Sequence, residues 1–385
     1  MTSPPPSCLS LLLGFLRLGL TAFGGPAMIA QIKDLSVRGR GWIDAHTFDD
    51  GVVLAQSLPG ATAMQVAAYV GLRARGTRGA VAAYVGLGFP AFVLMLGLSA
   101  WYVRAQGVPS VLAVMNGLQV VVVALVAHAA WTFGRVSTAS AGGIAIAASS
   151  AALYLLEVSP FAVIAVSAAA GLVLFRGAAA APPRNDPPRT RPSRWHWAAF
   201  ATAFAAGLAA VRLLDPQLFQ LSTLMLRVNL FAFGGGFASL PLMFQEVVDA
   251  RHWMTARTFM DGIALGQVTP GPISITATFI GFQLSGASGA AIATVAMFTP
   301  SLVVLLLAAP HFDRIRSSAL HARASRGVAA GFVGLLAVVG WRFGRGVAWT
   351  PAWIAFGLAA LAGLFRRIDV LYVVLAAVLL SLLIR

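Results

Sequence analysis

The chain has 385 residues, 59% hydrophobic and 10% charged, with a formal net charge of +15 and a mean hydropathy of +0.84. A soluble domain carries about 25% charged side chains, so this composition excludes a water-facing globular surface and makes the apolar segments the body of the protein. The arginines are scattered between those segments rather than gathered on one face, which argues against nucleic acid as a partner and for loop cations that set topology and meet membrane lipid. Cys8 is the single cysteine, so intramolecular disulfides and multi-cysteine metal sites are excluded.

Met1 to Ser7 has no basic stretch before the first apolar run, and no cleaved signal peptide is expected. A spanning helix needs about 20 apolar residues. In chain order, membrane segments are expected at roughly 8–30, 47–71, 79–103, 110–134, 140–156 and 158–175. A Pro- and Arg-rich linker runs from Arg176 to Arg194, one further apolar helix covers Trp195 to Leu214, and six more segments follow.

The second set repeats the first. Phe23-Gly24-Gly25 aligns with Phe233-Gly234-Gly235 at an offset of 210 residues, and after a one-residue insertion Asp50-Gly51, Gln56 and Pro59-Gly60 align with Asp261-Gly262, Gln267 and Pro270-Gly271. The register then returns to 210, pairing Gly71, Gly76, Gly79, Pro90, Gly117, Trp131 and Arg135 with Gly281, Gly286, Gly289, Pro300, Gly327, Trp341 and Arg345. The organisation is therefore a first repeat over 1–175, a basic linker with its linking transmembrane helix over 176–216, and a second repeat over 217–385. An even number of segments plus one extra crossing starts the second copy on the opposite face. The expected fold is an all-α polytopic membrane protein, an inverted tandem repeat with broken or re-entrant helices.

With the N-terminus inside, Arg73, Arg75, Arg78, Arg135, the linker arginines, Arg314, Arg316, Arg323, Arg326, Arg366 and Arg367 face the cytoplasm. The outer loops at Glu157, Asp215 and Gln283 to Ser288 are acidic or uncharged. Lys33, Arg38 and Arg40 fall outside if both early segments span and inside if they are re-entrant hairpins, and the sequence leaves both open.

Four tetrapeptides break these segments: Phe23-Gly24-Gly25-Pro26, Leu58-Pro59-Gly60-Ala61, Phe233-Gly234-Gly235-Gly236 and Thr269-Pro270-Gly271-Pro272. Unpaired backbone at membrane depth is tolerated only where it is buried in protein or lines a cavity. A helix N-terminus at such a break suits an anion, and breaks at matching positions of inverted halves point to a transport site. Each break also has a plainer reading as a kink or close packing. Arg17 and Arg227, six residues before each Phe-Gly-Gly, are candidate anion ligands, or else snorkel to an interface. Asp50 and Asp261 are candidate coupling groups, or else helix-start acids. Gln267, Thr269, Ser274, Thr276 and Thr278, with Thr62 and Gln65 in the first copy, offer amides and hydroxyls that ligate an oxyanion or bridge helices. His128 is expected to be a packing residue. Absent His-Glu-x-x-His, Gly-x-Ser-x-Gly and Walker A patterns argue against hydrolysis and ATP coupling, so no enzyme activity, cofactor or metal is expected.

Through Phe23-Gly24-Gly25-Pro26, Asp50-Gly51 to Pro59-Gly60, and their second-copy versions ending in Gln267-Val268-Thr269-Pro270-Gly271-Pro272, the chain resembles the chromate ion transporter family in its long, two-domain form, from about residue 9 to 385. The resemblance implies a multi-pass protein of the cell inner membrane that exports chromate, driven by membrane potential or a proton gradient, and confers chromate resistance. Sulfate is the obvious competitor. The mechanism expected on that basis holds the dianion near mid-membrane by amides after Gly235 and Pro270 with Arg17 or Arg227, and releases it when one repeat rocks against the other. The first copy lacks the second proline of Pro270-Gly271-Pro272, which gives the second copy more weight. An inward oxyanion permease and a protein that moves a lipid carrier headgroup are the alternatives, and a homodimer is left open as the assembly.

Overall fold

In a computed structural model, which describes residues 6–22, 25–177 and 194–383, the chain is all α-helical among the described residues. The first copy comprises α1 (Cys8–Thr21), α2 (Gly25–Lys33), a π-helical stretch (Asp34–Gly39), α3 (Ala45–Ser57), α4 (Thr62–Ala105), α5 (Pro109–Ser137), α6 (Ala141–Leu155) and α7 (Pro160–Leu174). After α8 (Arg194–Leu214) the order recurs: α9 (Pro216–Phe231), α10 (Ser239–Phe244), a π-helical stretch (Gln245–Ala250), α11 (Ala256–Val268), α12 (Thr276–Ala308), α13 (Phe312–Arg316), α14 (Ala319–Gly346), α15 (Pro351–Phe365) and α16 (Val370–Leu383). Even the capping recurs. Asp44 accepts from the Thr47 N–H to start α3 and Thr255 accepts from the Thr258 N–H to start α11, while Ser140 and Thr350 cap α6 and α15.

The second membrane segment of each copy is a hairpin, not a span. α3 has 13 residues, about 20 Å at 1.5 Å per residue, short of the roughly 30 Å hydrocarbon core. Beyond the break at Leu58–Ala61 the chain turns back, because a Cβ on Gly51 of α3 would lie 2.3 Å from the Tyr69 ring in the first arm of α4. α11 and α12 do the same, with Gly262 against Phe279 at 2.4 Å. Within α4 the path reverses again at Arg75-Gly76, where Gly76 has φ +66° and a Cβ on Gly71 would lie 2.1 Å from the Gly79 carbonyl oxygen. Residues eight apart touch this way only across a hairpin. α12 repeats it at Ser285-Gly286, with Gly281 against Gly289. Glycine is required at Gly76 and Gly286 by the positive φ, and at Gly71 and Gly281 by backbone contact.

The first segment also turns back. Trp42 beyond the first π-helical stretch lies against Gly14 and Phe15 of α1, and Lys33 pairs with Asp49 at 2.7 Å. In the second copy Arg227 of α9 faces Glu246 of the second π-helical stretch at 3.8 Å. Re-entry settles the question that the basic residues posed. Lys33, Arg38 and Arg40 come to the same end of the bundle as Arg73, Arg75 and Arg78, where Arg75 donates to the Pro6 carbonyl. The hairpins change the number of crossings in each copy but not its parity, so the copies remain inverted.

Among the described residues, four helical stretches have the length and apolarity to cross a membrane: Thr62–Ala105, Pro109–Ser137, Ile273–His311 and Ala319–Gly346. In the first and third, the long arm after the reversal crosses. α5 and α14 then exchange partners. α5 packs on α15 and α16 of the other copy, with Gly117 against Ser381, Trp353 and the Ala377 carbonyl, and α14 packs on α6 and α7, with Gly327 against Gly171 and the Ser167 carbonyl. Gly117 and Gly327 are repeat partners, so the exchange is symmetric and ties the copies into one body.

Re-entry predicts a labelling pattern. In a Cys8→Ser chain, Arg38→Cys and Thr77→Cys are expected to react with a membrane-impermeant maleimide added from the same side, and Gln106→Cys from the other. Labelling of positions 38 and 77 from opposite sides would mean that the first segments span.

Candidate functional site

Three of the four breaks, with Ala22 at the edge of the fourth, meet inside the bundle. Gly60 N–H donates to the Ala232 carbonyl at 2.9 Å, and its repeat partner Gly271 N–H donates to the Ala22 carbonyl at 3.1 Å. Pro59 and Phe233 form a single antiparallel bridge. Each copy's second hairpin thus closes on the first hairpin of the other copy, which satisfies backbone that would otherwise be unpaired at depth. The turns demand glycine: φ is +115° at Gly60, +95° at Gly234, +96° at Gly235 and +134° at Gly271. The contact is close, since a Cβ on Gly236 would lie 2.4 Å from Ile273 and one on Gly235 would lie 3.5 Å from Thr62 Oγ1.

The two junctions differ chemically. Around Gly60, Ala61 N–H donates to Ser301 Oγ at 3.0 Å, and the Ser301 hydroxyl donates to Asn229 Oδ1 at 2.9 Å. Gln65 Nε2 donates to the carbonyls of Pro59 at 2.8 Å and Ser301 at 3.2 Å. Asn229, Ser301 and Gln65 are all buried, yet Asn229 Nδ2 and Gln65 Oε1 have no hydrogen-bond partner among the described residues. Around Gly271 the corresponding positions are Gly19 and Ala91, both apolar, and a Cβ on Gly271 would meet Ala91. α4 begins at this polar junction with Ala61 as an N-cap that offers no side chain, so the Thr62, Ala63 and Met64 N–H groups precede the first intrahelical bond, Gln65 N–H to the Ala61 carbonyl.

Several sequence candidates gather here, and others do not. Pro59, Gly60, Gly234, Gly235, Gly236, Pro270 and Gly271 form the junctions. Gly24 lies outside the described residues, and Gly25 opens α2. The Gly271 amide, expected to hold an anion, is already committed to Ala22. Arg17 is exposed on the outer face of α1. Arg227 is half exposed, stacked 4.5 Å over Phe161 and facing Glu246, which also pairs with Arg251. Neither arginine points into the junction. Gln267 is part-buried, Thr269 donates to the Gly266 carbonyl, and Ser274 is buried with an unpartnered hydroxyl. Thr276 donates to the Ile273 carbonyl, Thr278 bonds Thr294, and His128 packs edge-on against Phe365.

The two carboxylates have unequal settings. Asp261 is buried and accepts from Tyr102 Oη at 2.8 Å and Gln119 Nε2 at 2.6 Å, both from the first copy. Asp50 is buried beside His46 at 3.6 Å. Their helices differ as well: α11 is buried without interruption from Phe259 to Gly266 against α5, α12 and α14, whereas α3 packs chiefly on α4 and leaves Val53 and Gln56 exposed.

Sequence reasoning missed Asn229, Ser301, Tyr102 and Gln119. A signal existed for two of them. Asn229 is an amide in an apolar run, and Ser301 follows Pro300 where its repeat partner Ala91 follows Pro90.

A family model described as chromate transporter matches residues 9–172 and again 219–382. An uncharacterized transporter of Methanocaldococcus jannaschii is 39% identical over 98% of this chain and 95% of its own length. Chromate transport proteins of Cupriavidus metallidurans and Pseudomonas aeruginosa are each 32% identical, over 81% and 86% of this chain and 77% and 80% of their own lengths. No solved structure matches the chain.

The junction geometry makes Gly60 intolerant of the smallest substitution. A Cβ there would lie 2.0 Å from Ser301 Oγ in a backbone region that itself costs about 1–3 kcal/mol for an L-residue. Gly60→Ala is expected to lower the melting temperature in detergent, and Gly97→Ala, whose Cβ meets nothing, to leave it unchanged. Equal melting of the two would show that the hairpin tips do not close in this way.

Proposed function

The chain belongs to the chromate transporter family, and from that premise we propose that it exports chromate from the cytoplasm across the cell's inner membrane and thereby confers chromate resistance. The observation that carries this reading is the convergence of inverted re-entrant hairpins on one enclosed polar junction. A small enclosed junction suits an ion, whereas a lipid headgroup needs a site that opens sideways between helices.

The dianion enters from the end rich in arginines, which the positive-inside rule makes cytoplasmic. At the opposite end Arg251 pairs with Glu246, Arg342 with Asp249 and Arg257 with Asn116. The hairpin at that end, α11, is sealed, while α3 at the cytoplasmic end is loosely covered, which supports a state closed to the outside. Because α5 and α14 tie the copies together, the moving parts are the hairpins against the exchanged scaffold rather than one whole repeat against the other. Inside-negative potential drives the step: moving two negative charges outward gains about 4.6 kcal/mol per 100 mV. Asp261, held by Tyr102 and Gln119, is the better placed of the two carboxylates to carry a coupling proton, although the potential alone suffices.

The test is chromate uptake into everted vesicles energised with a respiratory substrate. Saturable uptake that sulfate inhibits and that collapses with valinomycin and potassium but not with nigericin is expected. Uptake no greater than in vesicles lacking the protein would remove the export reading. Collapse with nigericin would transfer the driving force to the proton gradient.

A further inference from the structure

We propose that Asn229 is the residue that recognises the transported anion, presenting its Nδ2 amino group beside the N-terminus of α4 in a site built of neutral donors. The inference rests on the reading of this chain as an oxyanion transporter and assigns the residue that holds the cargo.

The structure sets the carboxamide oxygen of Asn229 on the Ser301 hydroxyl. Ser301 Oγ receives the Ala61 N–H and donates its hydrogen to Asn229 Oδ1. The amino group, on a side chain 1% exposed, is left with two hydrogens and no partner. A buried donor without a partner is costly, so a ligand that accepts those hydrogens gains what the protein alone leaves unmet. Gly60 brings the amide onto the hairpin tip: a Cβ there would lie 3.2 Å from Oδ1. The Thr62, Ala63 and Met64 N–H groups of the same tip lack intrahelical acceptors, and Thr62 Oγ1 lies toward Gly235 of the opposing break.

These donors fit a fully deprotonated tetrahedral oxyanion, which only accepts hydrogen bonds. The leftover acceptor, Gln65 Oε1, suits a water molecule, since both Nε2 hydrogens are already on carbonyls. Among the described residues no cation is part of the site, Arg17 and Arg227 being directed outward. The loaded protein therefore carries the full charge of its cargo, which is the condition for the membrane potential to act on it. Because the partner positions in the other junction are Gly19 and Ala91, the chain has one such site, not two.

The experiment is equilibrium binding of radiolabelled chromate and sulfate to the full chain in detergent. Wild type is expected to bind one anion per chain. Asn229→Asp, which keeps the acceptor for Ser301 but removes the donor, is expected to bind at least tenfold more weakly, as is the uncharged Asn229→Leu, while Arg227→Ala stays within twofold of wild type. A readout that needs no variant comes from wild type nitrogen-labelled at its three asparagines, Asn116, Asn185 and Asn229. Chromate is expected to shift one buried side-chain amide. Wild-type affinity in both Asn229 variants, or no shifted amide while chromate binds, overturns the role of Asn229 and leaves the transport reading standing. Wild type that binds neither anion overturns the transport reading and this inference with it.

Discussion

A backbone amide or carbonyl inside hydrocarbon must find its partner within the protein, and this chain interrupts its helices at depth in each copy. It meets the constraint by exchange: Gly60 bonds to Ala232 and Gly271 to Ala22, so that each hairpin tip is completed by the other copy. Much else follows. The tips have to arrive from opposite faces, which requires the copies to be inverted, and they have to approach within backbone distance, which requires glycine at positive φ on both sides. A polar junction at the centre is the consequence of the pairing rather than an addition to it.

The repeat, its inversion and the break points were legible because glycine and proline mark backbone that no other residue supplies, and they recur in register from Gly24-Gly25 to Gly289. Re-entry was not legible. α3, the break and the first arm of α4 together present about as many apolar residues as one spanning helix, and hydropathy does not distinguish a segment that crosses from one that turns at its middle. The deciding contacts, Gly51 on Tyr69 and Gly71 on Gly79, are between residues whose proximity only the fold reveals. The misplaced Lys33, Arg38 and Arg40 were the residue-level clue.

The site itself was half legible. Glycines and prolines of the junctions were found, whereas the ligating role given to Arg17 and Arg227 has no support in their placement. Helical period explains why: Leu9, Leu13 and Arg17 share the exposed face of α1, while Leu11, Phe15 and Gly19 share the buried one. Symmetry also misled, because the polar junction is built from residues the repeat does not share. Asn229 faces where Gly19 stands in the other copy and Ser301 where Ala91 stands, so the search for matched polar pairs passed over both. The second copy does supply the distinctive side chains, but it delivers them to the hairpin tip of the first.

The exchange of α5 and α14 bears on how the chain is made. α5 is synthesised well before α15 and α16, whose surfaces it packs on, so Gly117 waits for Ser381. Contacts so distant in sequence form slowly, and a surface that lacks them is prone to mispairing in the interval. The first copy therefore enters the bilayer with one face of α5 uncovered, and that face closes only once α15 and α16 have been inserted. Loss of α16 removes the closing face of the opposite half, so an early arm and a late one complete each other.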